Sequence, residues 1–597
     1  MRTNTIQTLG CMLLLLFLVQ SSLGSDAFFR PPQTYYPGGY DSTSIAVGDV
    51  NHDGKPDLVT AIQCLDFECT RGGVGVLIGN GDGTFQRVRT YDSGGEEAYS
   101  IAIGDVNRDG LPDLLAANLS VTRENYRGLA AVLLGNGDGT FQAAQTYDTG
   151  GYFAVMIATE DVNRDGNLDF LVANSCSSVE NCENGVLGVI LGNGDGTFQP
   201  VEIYRSGNYA ATSIALGDVN LDGKPDLLVS NYCGKPCRGA SVLLGNGDGT
   251  FQQAQTYDSG GDSAFSIAVE DVNGDRKLDL IVANLFVSDN KRDHGVVGVL
   301  LGNGDGTFQA AERHNSGGYQ PYSMAVGDVN GDGRPDVVAG NYCFNQRDCS
   351  TGGVGILLGN GDGTFNAARR YRSGGDAVQS IAVEDLNGDA KQDLLVGHQT
   401  GGISVLLTRY ITTTNLDANP STSTYGEPVT LRATVGSDGP GTPAGTVIFK
   451  NEGQWLGKVT LIDGAGVLMT RNLPPGTRSI TATYSGNSEC IKSTSKAAIH
   501  TVNSAPSRTT IMSSVNPSLA GQPITFTALV SSPSTRSTGS VTFTTGTTTL
   551  GTALLSWGGK ASITTSALPK GTHTIKATYS STANIIGSAA WVRQAVN

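Results

Sequence analysis

Seven times the chain repeats Asp-x-Asn-x-Asp with a further Asp four residues on, a spacing that can wrap oxygen ligands around one hard cation. In the first copy Asp49, Asn51, Asp53 and Asp57 offer side chains and Lys55 its carbonyl. The second offers Asp105, Asn107, Asp109 and Asp113 with Leu111, and the third Asp161, Asn163, Asp165 and Asp169 with Asn167. The fourth has Asp218, Asn220, Asp222 and Asp226 with Lys224; the fifth Asp271, Asn273, Asp275 and Asp279 with Lys277. The sixth has Asp328, Asn330, Asp332 and Asp336 with Arg334; the seventh Asp385, Asn387, Asp389 and Asp393 with Lys391. Calcium takes 6–8 oxygens at such sites. An EF-hand would need flanking helices and a Glu at position twelve, whereas these loops close on Asp at position nine between strand-like segments. Gly54 and its equivalents allow the bend at position six; Arg276 and Ala390 replace that Gly in the fifth and seventh loops and set those two apart. A hairpin turn rich in Asx residues explains one such copy, but not three Asp and one Asn held in register seven times.

Charge points the same way. The formal net charge is −16, and losing the segment that holds Arg2 makes it −17. Such a surface repels nucleic acid phosphates. Seven loops with three Asp each concentrate 21 carboxylates, and seven calcium ions would bring the mature chain to −3.

The elements that must carry these loops follow from the repeat. The steps between copies are 56, 56, 57, 53, 57 and 57 residues, and Gly-Asn-Gly-Asp-Gly-Thr-Phe recurs six times from Gly79, Gly135, Gly192, Gly245, Gly302 and Gly359. The second repeat parses into strands over 100–104, 114–118, 129–134 and 141–147, four antiparallel strands that make one propeller blade. One such sheet cannot bury both faces, so seven stack around a channel. The seventh repeat lacks the Gly-rich turn and a fourth strand, while Phe28 to Tyr35 mimics the segment Phe141 to Tyr147; the N-terminal segment is therefore expected to complete the last blade. The Gly-rich turns read as tight hairpins, not nucleotide loops, because strands rather than a helix follow them.

These motifs resemble the FG-GAP or VCBS-type repeats of bacterial surface and secreted proteins, and are similar to the calcium-binding propeller of integrin α subunits. The resemblance spans roughly Phe28 to Tyr410. From about residue 411 two segments align with each other, Asn419-Pro420 with Asn516-Pro517 and Pro475 to Tyr484 with Lys570 to Tyr579. Each is about 90 residues, the size of an immunoglobulin-type sandwich. They resemble bacterial Ig-like repeats, with Ser504 to Ser507 as the linker. The expected organisation is all-β: a signal peptide over 1–24, a seven-bladed β-propeller over 25–410, and Ig-like β-sandwich domains over 411–503 and 504–597.

Arg2, the apolar stretch Leu13 to Val19 and small residues at Ser22 to Gly24 are the marks of an export signal, and no later segment is apolar enough to span a membrane. The protein is expected to be secreted or held at the cell surface. Cysteine pairs Cys64/Cys69, Cys176/Cys182, Cys233/Cys237 and Cys343/Cys349 share one variable loop and read as local disulfides in an oxidising compartment, which suits zinc poorly; Cys490 has no evident partner.

No His-Glu-x-x-His or Gly-x-Ser-x-Gly is present, and the six His fall at unrelated repeat positions, so no catalytic residue is assigned. The favoured function is a calcium-binding adhesion or ligand-binding module, glycan or protein, on an Ig-like stalk. A secreted polysaccharide lyase or hydrolase and a purely structural envelope component stay open, because propellers host many activities. Strand alternation puts the acidic loops and Gly-rich turns at one end of each blade and the cysteine loops with the Ser-Gly-Gly connectors at the other. The latter end carries Arg123, Arg127, Lys235, Arg238, Lys291, Arg292 and Arg347, with Tyr126, Tyr232, Phe286, Tyr342 and Phe344. Its connectors add Tyr99, Tyr152, Phe153, Tyr209, Phe265, Tyr319 and Tyr322. Arg and aromatic residues are enriched at binding hot spots, which makes this the expected contact face.

Overall fold

The computed structural model describes residues 28–119, 126–178, 182–232, 239–287, 294–345 and 349–597. The signal-peptide segment, Cys233, Cys237, Arg123, Lys235, Arg238, Lys291, Arg292 and Arg347 lie outside the described residues. The chain falls into two compact units, Phe28–Thr408 and residues 409–597, and the described residues form strands and no helices.

In the first unit each acidic repeat contributes antiparallel strands to one blade in sequence order, as in Ala210–Gly217, Asp226–Tyr232, Ala240–Leu243 and Gln255–Tyr257. The second strands read as continuous apolar runs because both faces are covered: in Asp279–Phe286 every residue but the last is buried. The third strands are equally buried, and small residues appear where blades meet most closely. A Cβ on Gly298 would lie 1.9 Å from the carbonyl oxygen of Ser259, so no larger residue fits. Most fourth strands are exposed apart from one half-buried residue each, as outer edges should be.

The first strands neighbour one another around a ring, and the strand of the first blade (Tyr40–Gly48) also touches that of the seventh (Val378–Glu384). Hydrogen bonds run the same circuit: Ile101 N–H donates to Ser44 Oγ, Ile157 to Ser100, Ile381 to Ser323, and Ile45 to Ser380. Apolar clusters fill each junction. Ile45, Leu58 and Phe85 of the first blade pack with Leu386, Leu395 and Val405 of the seventh, each large side chain contributing about 1.5–3 kcal/mol by leaving water. The seventh sheet is completed by Gln33–Tyr35, which pairs antiparallel with Ile403–Leu406, with Phe29 bridging Thr408. The seven sheets thus form a closed seven-bladed ring in which the N-terminal segment supplies the outer strand of the last blade.

The fourth strand differs from the sequence expectation. Strand pairing resumes only at Gln145, not Phe141, and the second blade runs unbroken into the third as Gln145–Glu160. Phe141 makes a single bridge to Gly135 and turns its ring inward against Tyr91, 5.6 Å away, so it anchors the junction instead of extending the sheet.

Residues 409–597 hold two sandwiches. In the first, Thr412–Asn419, Val429–Ser437 and Ala465–Thr470 form one sheet, and Thr446–Asn451, Gln454–Thr460, Gly476–Tyr484 and Ala498–Asn503 are the main strands of the other. Leu431, Val447, Phe449, Ile480 and Tyr484 fill the space between. The second repeats the plan around Phe526, Val541, Phe543, Ile575 and Tyr579. Tyr484 and Tyr579 donate their hydroxyls to Ala444 O and Thr538 O at 2.6 and 2.7 Å. The first sandwich takes in Tyr410, which bridges Cys490; the second takes in Ala505, fully buried, which bridges Ile585. The expected linker residue Ala505 is thus a core residue, and buried Cys490 fills the place that Ile585 fills in the other copy.

Candidate metal loops and the opposite face

In every acidic loop the first Asp turns back on the backbone. Asp49 Oδ1 and Oδ2 accept the amides of Asp53 (3.1 Å) and Gly54 (2.7 Å), Asn51 Oδ1 accepts Asp53 N–H (2.9 Å), and Asp53 Oδ1 accepts Lys55 N–H (3.0 Å). This concave nest needs two left-handed residues. Position six supplies one with Gly54 at φ +78°, and position four the other with His52 at +58°. Position four is left-handed in all seven loops, through Arg108, Arg164, Leu221, Gly274, Gly331 and Gly388. Arg276 and Ala390 take the same conformation as the Gly they replace, at +66° and +62°, and their amides still reach Asp271 and Asp385 at 2.7 Å. The fifth and seventh loops therefore keep the common backbone.

The ninth-position Asp has a second task. Asp57, Asp113, Asp169, Asp226, Asp279, Asp336 and Asp393 are fully buried. Asp57 accepts Val50 N–H at 3.0 Å and, across the blade, Gly79 N–H of the Gly-rich hairpin at 2.8 Å; in the seventh blade Thr408 N–H replaces the hairpin Gly at 2.6 Å. Each carboxylate thus ties its loop to strands three and four. Burial raises every one of these carboxyls above the usual range, the amides lower them, and the neighbouring loop carboxylates push them up again. Asp169 and Asp336 reach about 6 and Asp393 about 7. Hairpins also lock successive blades, as when Gly306 N–H donates to Val219 O.

The donor set fits a hard cation in chemistry, since each loop offers only oxygen. Its carboxylates also stand close enough to repel one another. Among the described residues, however, no three Asp, Glu, His or Cys side chains form a group that could hold a metal as they stand, and the loop amides engage the carboxylate oxygens. At three loops a lysine ammonium lies beside the position-five Asp: Lys55, Lys224 and Lys277 at 3.4–3.6 Å. The hairpin Asp residues build turns: Asp82 Oδ1 accepts both N–H and Oγ1–H of Thr84, and these bonds hold its carboxyl below the usual range.

The other end of the blades differs in chemistry. Cys64–Cys69, Cys176–Cys182 and Cys343–Cys349 are disulfides there. Phe265, Tyr322 and Tyr342 cluster with centroids 4.4 and 5.0 Å apart, and the Tyr342 hydroxyl donates to Gln399. Burial raises the Tyr322 phenol, and Tyr342 and Tyr232 add to the rise; Tyr232 itself is half-exposed. Tyr126 stacks on Phe153 at 5.1 Å, Arg127 pairs with Asp148, and Arg370 lies 4.4 Å over Phe344. Tyr99 instead donates to Glu97 at 2.6 Å, with Gln63 bridging both. Two exposed aromatics here, Tyr40 and Phe67, escape the sequence reading; Phe67 inside the Cys64–Cys69 ring is 90% exposed, and its place in that loop was the available signal.

A family model described as FG-GAP-like repeat matches residues 65–116, 161–229, 232–282 and 283–339, and the FG-GAP repeat model matches 42–62. The model for the bacterial Ig-like domain (group 3) matches 416–503 and 511–597. The chain is made of FG-GAP repeats followed by two bacterial Ig-like domains. No curated protein matches it. Among solved structures, the extracellular domain of BT3049 from B. thetaiotaomicron aligns at 11% identity and TM-score 0.36, over 79% of this chain and 58% of that one. The intramolecular trans-sialidase from Ruminococcus gnavus aligns at 12% and 0.33, over 63% and 97%. The fibronectin(III)-like modules of Clostridium thermocellum CbhA align at 16% and 0.15, over 31% and 94%. At these TM-scores none of them bears on function. No helix among the described residues is long and apolar enough to cross a membrane.

Three of the blades also share a buried polar pair. The connector residue Thr149 donates its hydroxyl to Asn174 Oδ1 of the next blade at 2.6 Å, as Ser259 does to Asn284 and Ser316 to Asn341. In the seventh blade His398 stands in the Asn position, with Nε2 2.9 Å from Ser404 Oγ, the geometry that Asn231 makes with Ser241.

Proposed function

We propose that the FG-GAP propeller is a calcium-binding, non-catalytic module of an exported protein, and that it presents its disulfide-loop face to a glycan or protein ligand. The observation that carries this reading is the aromatic cluster Phe265, Tyr322 and Tyr342, contributed by two successive blades at one end of the ring, with half-exposed Tyr232 ending the second strand of the blade before them. Rigid aromatics on strand ends offer large contact area at low entropic cost, as binding hot spots do. The acidic end is engaged with its own amides and serves as the ion-dependent frame. Up to seven calcium ions, held by the loop residues named above, would neutralise the crowded carboxylates and so stiffen the interlocked hairpins. FG-GAP and Ig-like domains are extracellular types, which is compatible with secretion or surface display.

A glycan and extracellular-protein array, run on the full chain with calcium and with chelator, tests the reading. The expected result is a ligand captured in calcium and lost in the Y232A/Y342A variant, whose calcium-dependent melting is unchanged. A ligand retained by that variant and lost on altering acidic-end side chains in a folded protein would place the contact at the wrong end.

One observation favours the second reading, a polysaccharide-active enzyme. Burial raises the Asp41 carboxyl, and Asp376 and Glu97 raise it further, so three carboxylates from three blades share one neighbourhood. Glycan cleavage abolished by Asp41→Asn or Glu97→Gln would replace the binding reading.

A further inference from the structure

Three clefts recur at the same place in successive blade junctions. They lie between the outer strands of blades three and four, four and five, and five and six, with volumes of about 450, 320 and 510 Å³. We propose that they are three equivalent sites, each taking one pyranose ring of a glycan; this rests on the reading of the propeller as a binding module.

The clefts exist because both walls lack a side chain. On one wall a left-handed connector glycine, Gly207, Gly260 or Gly317, forbids a Cβ. Added there, it would come within 2.8, 3.1 and 3.1 Å of Ala254, Ala311 and Ala368 on the other wall. At the equivalent positions the first and third blades carry Val88 and Val201, whereas the second carries Ala144 opposite Gly94 and shares the small-residue wall. Behind each gap stands a perpendicular ring pair with centroids 5.4–5.6 Å apart: Tyr204 with Phe251, Tyr257 with Phe308, and His314 with Phe365.

The rims are polar without being a charge cluster. Asn208 and Gln253 edge the first cleft, Asp258 and Gln309 the second, Asn315 and Asn366 the third. Arg313 lines both the second and the third. A pyranose ring has an apolar C–H face and a rim of hydroxyls that each donate and accept. An apolar back wall with amide groups that also do both matches it on each side. A phosphate or nucleotide would need more cations than one or two guanidinium groups per cleft. Ring-sized sites repeated at neighbouring junctions suit one branched or repeating chain, where linked weak contacts multiply.

The test uses the full chain and a panel of methyl pyranosides (gluco-, galacto-, manno-, N-acetylglucosaminide and glucuronide) in saturation-transfer NMR and calorimetry. We expect one member to bind at several equivalent sites per chain, with two fewer in Arg313→Ala because that residue lines two clefts. The variant A254V/A311V/A368V, which installs the side chain that blades one and three already hold, is expected to fold normally and to lose affinity about tenfold or more. Absence of saturable binding by every pyranoside, or an unchanged stoichiometry in Arg313→Ala, overturns the proposal. If the array ligand is lost in Y232A/Y342A but untouched by both cleft variants, the binding-module reading stands and the clefts are not its sites. If pyranosides fill the clefts while the array finds no ligand at the aromatic cluster, the clefts stand and that contact face falls.

Discussion

The ninth-position Asp offers the sharpest separation of frame from ion. Take Asp279 in the fifth blade, fully buried, whose oxygens accept Val272 N–H at 3.0 Å and Gly302 N–H at 2.8 Å. Asp279→Ala leaves both amides buried without acceptors. A hydrogen bond to a charged group is worth roughly 1.5–3 kcal/mol, so the gross loss is about 3–6 kcal/mol. Burial already raises this carboxyl against ionisation, and that desolvation cost is recovered on truncation. The net expectation is therefore about 2–4 kcal/mol for Ala. For Asn, which keeps one acceptor, it is about 1–2 kcal/mol. Denaturant unfolding in chelator reads the total. Native-state hydrogen exchange at Gly302 and Val272 reads it locally, about tenfold faster exchange per 1.4 kcal/mol. Because the assay excludes calcium, the loss belongs to the tether alone. Unchanged stability and unchanged exchange at both amides in Asp279→Ala would refute the reasoning.

Burial lowers the His398 imidazole below its ordinary value, so the folded state resists a proton that the unfolded chain accepts. The stability involved is present above the unfolded value of about 6.5 and is lost as pH falls below it. His398→Asn, which restores the Asn found in other blades, is expected to flatten the fall in melting temperature between pH 7.5 and 5 relative to the parent; parallel curves would contradict this. Peptide mapping of secreted material is expected to link Cys64 to Cys69, Cys176 to Cys182 and Cys343 to Cys349, with Cys490 recovered as a thiol. Reduction of each short ring should cost roughly 2 kcal/mol of loop-closure entropy; free thiols at all six positions would count against an oxidising destination.

Much of the fold can be read from the chain because the signals repeat. Seven copies at a nearly constant step, strand-length apolar runs and Gly-rich turns determine the blade. The likeness of Phe28 to Tyr35 to Phe141 to Tyr147 points to the segment that pairs with Ile403–Leu406. The loops are only half legible. An Asp that binds metal and an Asp that caps amides look alike in sequence, and only the meeting of Asp57 with Gly79, 22 residues on, reveals the tether. Nor do Arg108, Arg164 and Leu221 announce a left-handed backbone, since none is a residue type favoured there. The role of Cys490 was hidden for the opposite reason: alone it looks like an odd thiol, and only superposition of the two sandwiches sets it opposite Ile585. The clefts depend on a small half-buried residue meeting a glycine across the junction, as Ala254 meets Gly207, and residues that far apart in the chain do not announce the pairing.

The calcium frame is tested most directly by titrating the metal-stripped chain with calcium under native mass spectrometry, alongside a thermal melt at each point. Up to seven ions per chain and a rising melting temperature between chelator and millimolar calcium are expected, because the folded loops bind the ion and the unfolded chain hardly does. A chain that takes up no calcium and melts identically throughout would contradict it.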